Sequence, residues 1–434
     1  MKQFLSLLFL FAIFLPLQAQ EATLISKDEL VTRARENNAS LKIAHQDVMA
    51  AQADYRQTNA ILLPTIGLTH TGIATTNPLL AFGSKLNQAI LTPGDFDPTL
   101  LNDPRQIEDY ATRIQIQQPL VNLDGLFQRK AAKAKLSATT LQSERTQQYL
   151  ELELDKAYME LQLAYRTVAV LEKARETASE NLRIAGNSFE KGYLQKSDVL
   201  AVEVRLTEIE NQLQYAKSNI LNASNQLSVL MGEPDFALYQ PSDSLTTRTT
   251  QSYEPTFSES RADIMAMASA SSAYHQLHRA DIMSFLPRLN AFGTYELHDD
   301  TAFAGAADGY YFGAELSWNI LEGSKRFGKA QKSKAEYERS KLELEQYKAQ
   351  SQVELNRANR MLQDAANNLK LTALALEQAK ESLRIRSNRF EQGLEKTTDL
   401  LFAETQYAQK QLEYYSTVYR HNYAMAYVHF LTLE

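Results

Sequence analysis

The chain has 434 residues, 44% hydrophobic and 22% charged, with a formal charge of −7 and no cysteine. The acidic balance excludes a nucleic-acid partner, which needs a clustered positive footprint. Without Cys there is no zinc ribbon, iron–sulfur cluster, disulfide framework, thiol catalyst or lipid-attachment site. Beyond the N-terminus no run of about 18 apolar residues occurs, which excludes a transmembrane helix.

Taken in order, the chain opens with Lys2 and an apolar stretch from Phe4 to Leu15, closed by Pro16 and Ala19. A basic start, a short apolar core and a small residue at the cut site read as a signal peptide over 1–19. The apolar stretch is too short to span a bilayer. Export without Cys points to the bacterial envelope.

Proline then divides the sequence. None lies between Leu120 and Glu233, and none follows Pro287. Both stretches are rich in strong helix formers and predict long helices, at about 126–190, 197–231, 324–390 and 398–431. The first alone would measure about 100 Å. Leu150, Leu154, Ala157, Leu161, Ala164, Val168 and Leu171 form one narrow stripe, the mark of a coiled-coil seam. Leu369, Thr372, Leu376, Ala379, Leu383 and Arg386 continue that rhythm less cleanly.

Four short segments alternate with period two, over about 65–76, 110–119, 287–298 and 309–319. Their length and one apolar face match membrane β-strands, although a soluble antiparallel sheet would share the pattern. Pro64 and Pro287 mark the helix-to-strand transitions. Asn77–Glu108 and Asp299–Asp308 read as hairpin connections.

The chain also repeats. Leu182-Arg183-Ile184, Asn187, Phe189-Glu190 and Gly192 return 201 positions later as Leu383-Arg384-Ile385, Asn388, Phe390-Glu391 and Gly393. Asp198 maps onto Asp399 and Glu203 onto Glu404. Phe127 and Phe327 each open a basic, Ala/Lys-rich helix. The expected organisation is a first repeat over 20–231, a connection over 232–258 and a second repeat over 259–434, each a helix–strand–strand–helix–helix unit.

Four strands cannot close a barrel in lipid, so several chains must pool them, and the helical seams need partners as well. An obligate symmetric oligomer follows: a ring of strands continuing into a ring of helices. Trp318, at the end of the fourth strand, and Tyr310 are assigned to the membrane interface. A buried core tryptophan is the alternative for Trp318.

These residues resemble the TolC-like outer-membrane factor (outer membrane efflux protein) family. The resemblance rests on Leu24–Leu41 with Glu36-Asn37-Asn38, on Leu62-Leu63-Pro64, and on Gln117-Gln118-Pro119-Leu120. It continues through Phe189-Glu190-Lys191-Gly192 with Asp198-Val199-Leu200, Arg261-Ala262-Asp263-Ile264, and Phe390-Glu391-Gln392-Gly393 with Asp399-Leu400-Leu401. Ala262 stands where the family usually has Pro. The fold implied is mainly α with a small membrane β part: a trimeric β-barrel continuing into a long periplasmic α-helical barrel. Residues 232–258 would form its equatorial region.

The resemblance further implies a homotrimeric, non-enzymatic exit duct in outer-membrane lipid, serving tripartite efflux or type I secretion. Its partners would be a periplasmic adaptor (membrane fusion) protein and an inner-membrane pump of RND, ABC or MFS type, with no cofactor. Phe189, Gly192, Asp198, Phe390, Gly393 and Asp399 would lie at the periplasmic tips where the adaptor docks. Asp399 matches an aperture residue, and Phe402 stands where some members carry a second Asp. Helix capping is the alternative role for Asp198 and Asp399.

Two rival functions are weighed. An enzyme has little support, because the close pair His275 and His278 lacks the carboxylate of a metalloprotease helix, and no nucleophile or phosphate motif occurs. A soluble periplasmic coiled-coil structural or adaptor protein shares the helices but has no use for four lipid-length strands.

Overall fold

A run of alternating residues becomes a sheet only when neighbours agree on register, and the four predicted strands do. In the computed structural model, which describes residues 22–249 and 256–433, they are β2 (Thr65–Thr75), β3 (Ile107–Val121), β5 (Arg288–Asp299) and β6 (Ala307–Ser317). The expected signal peptide over 1–19 lies outside the described residues, as do positions 250–255 of the connection. The sheet order is β2-β3-β5-β6, antiparallel throughout.

Residues directly opposite share a face. One face carries the rows Ile66/Ile116/Gly293/Phe312 and Leu68/Ile114/Tyr295/Tyr310. The other carries Gly67/Gln115/Thr294/Tyr311 and Thr69/Arg113/Glu296/Gly309. Ile66, Leu68, Tyr310 and Phe312 are 67–79% exposed, so among the described residues nothing covers the apolar rows on the two edge strands. Strand β3 runs longer than the expected 110–119 at both ends: Ile107, Glu108 and Asp109 pair with Thr75, Ala74 and Ile73, and a register shift between Pro119 and Val121 accommodates the missing Pro119 donor.

The connection after β2 is more ordered than a loop. It holds α3 (Pro78–Asn87) and α4 (Pro98–Asn102), capped by Asn77 and Asp97 with Pro at the first helical position. Helices this short leave no readable period. α3 buries Ala81 and Ser84, and Gln88 Nε2 after it donates to Glu108 O (2.7 Å) and Asp109 Oδ1 (3.1 Å). Asp109 also meets His298 Nδ1 at 3.1 Å, on the polar face of the sheet.

The remaining strands and α-helices are β1 (Thr23–Ile25), α1 (Lys27–Asn37), α2 (Ala39–Gln57), α5 (Leu123–Glu190), α6 (Lys196–Met231), β4 (Tyr239–Pro241), α7 (Ala262–Met283), α8 (Lys325–Glu391) and α9 (Thr397–Thr432). By contacts the chain forms two units: Met1–Gln46, Gln142–Asp263 and Tyr347–Glu434; and Asp47–Leu141 with Ile264–Gln346, which holds the sheet. In the first unit all seven residues of the Leu150–Leu171 stripe are buried, packed with Leu213, Ile220 and Leu227 of α6 and with Ile25 and Leu30. β1 pairs in parallel with β4, and Tyr158 and Tyr165 donate to Ile25 O and Tyr239 O across this junction.

Gly232 ends α6 at φ +72°, and a Cβ there would lie 2.4 Å from Asn37 O, so both its conformation and its neighbour require glycine. The α8 stripe behaves differently. Leu369, Leu376 and Leu383 are only half-buried, and Leu371 and Leu374 are 65% and 57% exposed.

Candidate functional site

The two helix-to-helix turns are built alike. Gly192 N donates to Phe189 O (2.9 Å) and Tyr193 N to Ser188 O (2.8 Å); Gly393 N donates to Phe390 O (2.9 Å) and Leu394 N to Arg389 O (2.9 Å). This paired closure needs a left-handed residue, and the glycines supply it at φ +79° and +71°. No atom crowds either Cα, so the backbone angle alone selects glycine. Phe390 is buried, whereas Phe189, Tyr193 and Leu394 are exposed.

The caps differ from the expectation in detail. The N-cap positions are Gln195 and Lys396, and Asp198 and Asp399 sit three residues later. Asp198 Oδ2 accepts from Gln195 N at 3.1 Å, the reciprocal half of a capping box. Asp399 lies instead 3.9 Å from Arg386 Nη1, half-exposed. Phe402, one turn on, is 63% exposed.

A network around Asp399 went unread in the sequence. Arg386 Nη1 bonds Glu395 Oε1 at 2.7 Å, and Arg389 Nε bonds Glu395 Oε2 at 2.8 Å. The repeat offset of 201 places Ala185, Ser188 and Leu194 at those positions of the first turn. Comparing the repeats residue by residue was the available signal, since an ion cluster present in one copy alone marks divergence.

Above the turns, Glu404 is buried. Asn181 of α5 donates to its Oε1, while Oε2 finds no partner. Burial pushes its carboxyl up to about 7, against the opposing pull of Arg205 and the Asn181 bond. A cavity of about 150 Å³ adjoins it, lined by Val170, Thr177, Arg205, Ile209, Leu383 and Tyr407.

At the sheet, Pro64 immediately precedes β2 and Pro287 immediately precedes β5. Trp318 follows β6; it is 55% exposed and donates Nε1 to Phe285 O at 3.0 Å, so it is not a core residue. Tyr310 stacks on Phe312 along the exposed apolar face. His275 packs against the Tyr337 ring and His278 Nδ1 meets Ser333 Oγ at 3.1 Å. No group of acidic or His side chains among the described residues could hold a metal ion.

A four-stranded sheet with one bare apolar face and two open edges, joined to helices of 36 to 68 residues, defines a membrane channel subunit. A family model described as outer membrane efflux protein matches residues 30–233 and 256–422. The chain belongs to the outer membrane efflux protein family: an outer-membrane efflux channel, not an enzyme. Similar folds include a membrane protein from Pseudomonas aeruginosa, with TM-score 0.81 and 18% identity over 94% of this chain and 93% of that one. The Campylobacter jejuni CmeC outer membrane channel gives 0.78 and 17%, over 94% and 85%. VceC from Vibrio cholerae gives 0.77 and 18%, over 94% and 96%. No curated protein matches the chain significantly.

Proposed function

We propose that three copies of this chain form one exit duct, pooling four strands each, and that the duct serves a tripartite efflux or type I secretion system. The observation that carries the reading is the pair of open edges on β2 and β6, which hydrocarbon does not tolerate unless another copy closes them. The exposed Leu371 and Leu374 of α8 support it, as apolar residues on a long helix that a neighbouring copy would cover. The Gly192 and Gly393 turns, with exposed Phe189, Tyr193 and Leu394, are the docking points for a periplasmic adaptor and, through it, an inner-membrane pump. Asp399 and Phe402 narrow the inner aperture, one by charge and one by bulk.

Because the chain has no Cys, introduced thiols are the only ones present. Leu68→Cys and Phe312→Cys in one chain, on opposite edges, should give a ladder ending at the trimer with a short bis-maleimide. A ladder ending at another number would overturn the stoichiometry. In planar bilayers Phe402→Ala should raise single-channel conductance severalfold, and Asp399→Ala should lower cation preference. If both variants conduct and select as the parent does, the aperture lies elsewhere.

A further inference from the structure

Nine basic and only two acidic residues occupy positions 122–135 and 322–335, in a chain whose net charge is −7. These stretches open α5 and α8, directly after the sheet. A helix start is the wrong place for cations, because the unsatisfied N–H groups already present positive charge there. α8 has no acidic residue in its first turn. The dipole therefore disfavours Lys325 and Arg326, and it does not reach the lysines of the later turns, whose clustering beside the sheet leaves a locally positive surface.

Lys130, Lys133, Lys135, Lys325, Lys329, Lys332 and Lys334 are all exposed. Four have partial local engagements. Lys135 reaches Asp54 at 3.1 Å, Lys329 reaches Asp281 at 2.8 Å, Lys332 reaches Glu336 at 3.7 Å, and Lys130 sits over the Phe127 ring. Among the described residues no carboxylate is within ion-pair distance of Lys133, Lys325 or Lys334. Toward the sheet, the neighbouring surface is exposed and apolar: Trp318, Ile320, Leu321 and Phe327.

Helical side chains lean toward the helix N-terminus, here toward the sheet. Each helix rises about 1.5 Å per residue, so these lysines occupy roughly its first 20 Å. Long aliphatic stems bring the ammonium groups further back toward the same boundary. We infer that the two basic helix starts form a collar that binds the phosphate headgroups of anionic phospholipids in the periplasmic leaflet of the outer membrane. The inference rests on the sheet being the membrane-embedded part of the channel.

The test uses the full chain purified in mild detergent. Phosphatidylglycerol, phosphatidylcholine or lipid A is added, and lipids retained per protein are counted by native mass spectrometry. The parent should retain phosphatidylglycerol with a preference of roughly tenfold or more, falling as salt rises. Lys→Gln at all seven positions should abolish the preference, and Lys→Arg at the same positions should keep it. Lys370→Gln with Lys380→Gln, far along α8, should leave it unchanged. Equal retention of both lipids by the parent, or an unchanged preference in the seven-Gln variant, overturns the collar. So does exclusive retention of lipid A phosphates, which belong to the opposite leaflet. Flotation with phosphatidylcholine vesicles separates the two readings: insertion without preference removes the collar alone, while failure to insert removes the membrane-embedded sheet.

Discussion

Arg261→Met should destabilise the protein by about 3–5 kcal/mol, the cost of leaving one partner of a buried ion pair behind. Arg261 is 1% exposed. Its Nε and Nη2 hold both oxygens of Asp263 at 2.7 and 2.8 Å, Nη2 also reaches Ser351 Oγ at 2.9 Å, and Nη1 reaches Leu431 O at 3.3 Å. Tyr347 donates to Asp263 Oδ2 at 2.6 Å, and Arg145 stands 3.5 Å away. One guanidinium thus ties the start of α7 to α8 and α9. Burial pushes the Asp263 carboxyl up, but the bonds from Arg261 and Tyr347 outweigh it and hold the group below its ordinary value. A depressed carboxyl stabilises above its unfolded pKa and loses that contribution as pH falls through the folded one, so the parent should weaken below about pH 4. Thermal midpoints in detergent measure the loss. Replacing both partners, Arg261→Met with Asp263→Leu, should recover much of it; a double variant no better than the single one would refute the pair as the cause.

Glu404→Gln should act in the opposite direction. The folded carboxyl, raised to about 7 by burial, holds its proton more tightly than the unfolded one, whose ordinary value is 4.5. Its contribution is therefore complete below about pH 4.5 and disappears as pH rises through 7. At pH 8 the parent keeps a buried charge with one unpartnered oxygen, facing Arg205 of α6, Lys173 of α5 and Tyr407 on its own helix. The glutamine variant should gain about 3 kcal/mol at pH 8 and under about 1 kcal/mol at pH 5. Melting both proteins at the two pH values is sufficient. Identical pH slopes would show that Glu404 is ionised and solvated throughout.

The parts of the fold that were readable are those whose residues face two different solvents or repeat over many turns. Ile66 and Leu68 alternate with Gly67 and Thr69 because one face meets lipid and the other water, so a period of two survives in the sequence. The Leu150–Leu171 stripe runs through six turns and is legible for its length. α3 and α4 are too short for a period, and only Asn77-Pro78 and Asp97-Pro98 announced them. The Arg261–Asp263 centre needed tertiary information, since its other members arrive from α8 and α9. Glu203 and Glu404 are the plainest case. Duplication aligns them, yet the first is exposed and the second buried, and no local pattern distinguishes them.

The two hairpin ends share one backbone closure but not one chemistry. Arg386, Arg389 and Glu395 decorate the second, and the first has Ala185, Ser188 and Leu194 in their places. In the proposed trimer, corners with and without this Arg386–Glu395–Arg389 cluster would alternate around the rim. A visiting protein would then meet six vertices closed alike, three of them bearing the paired arginines, a difference that would fix its rotational phase without any change in the outline it grips.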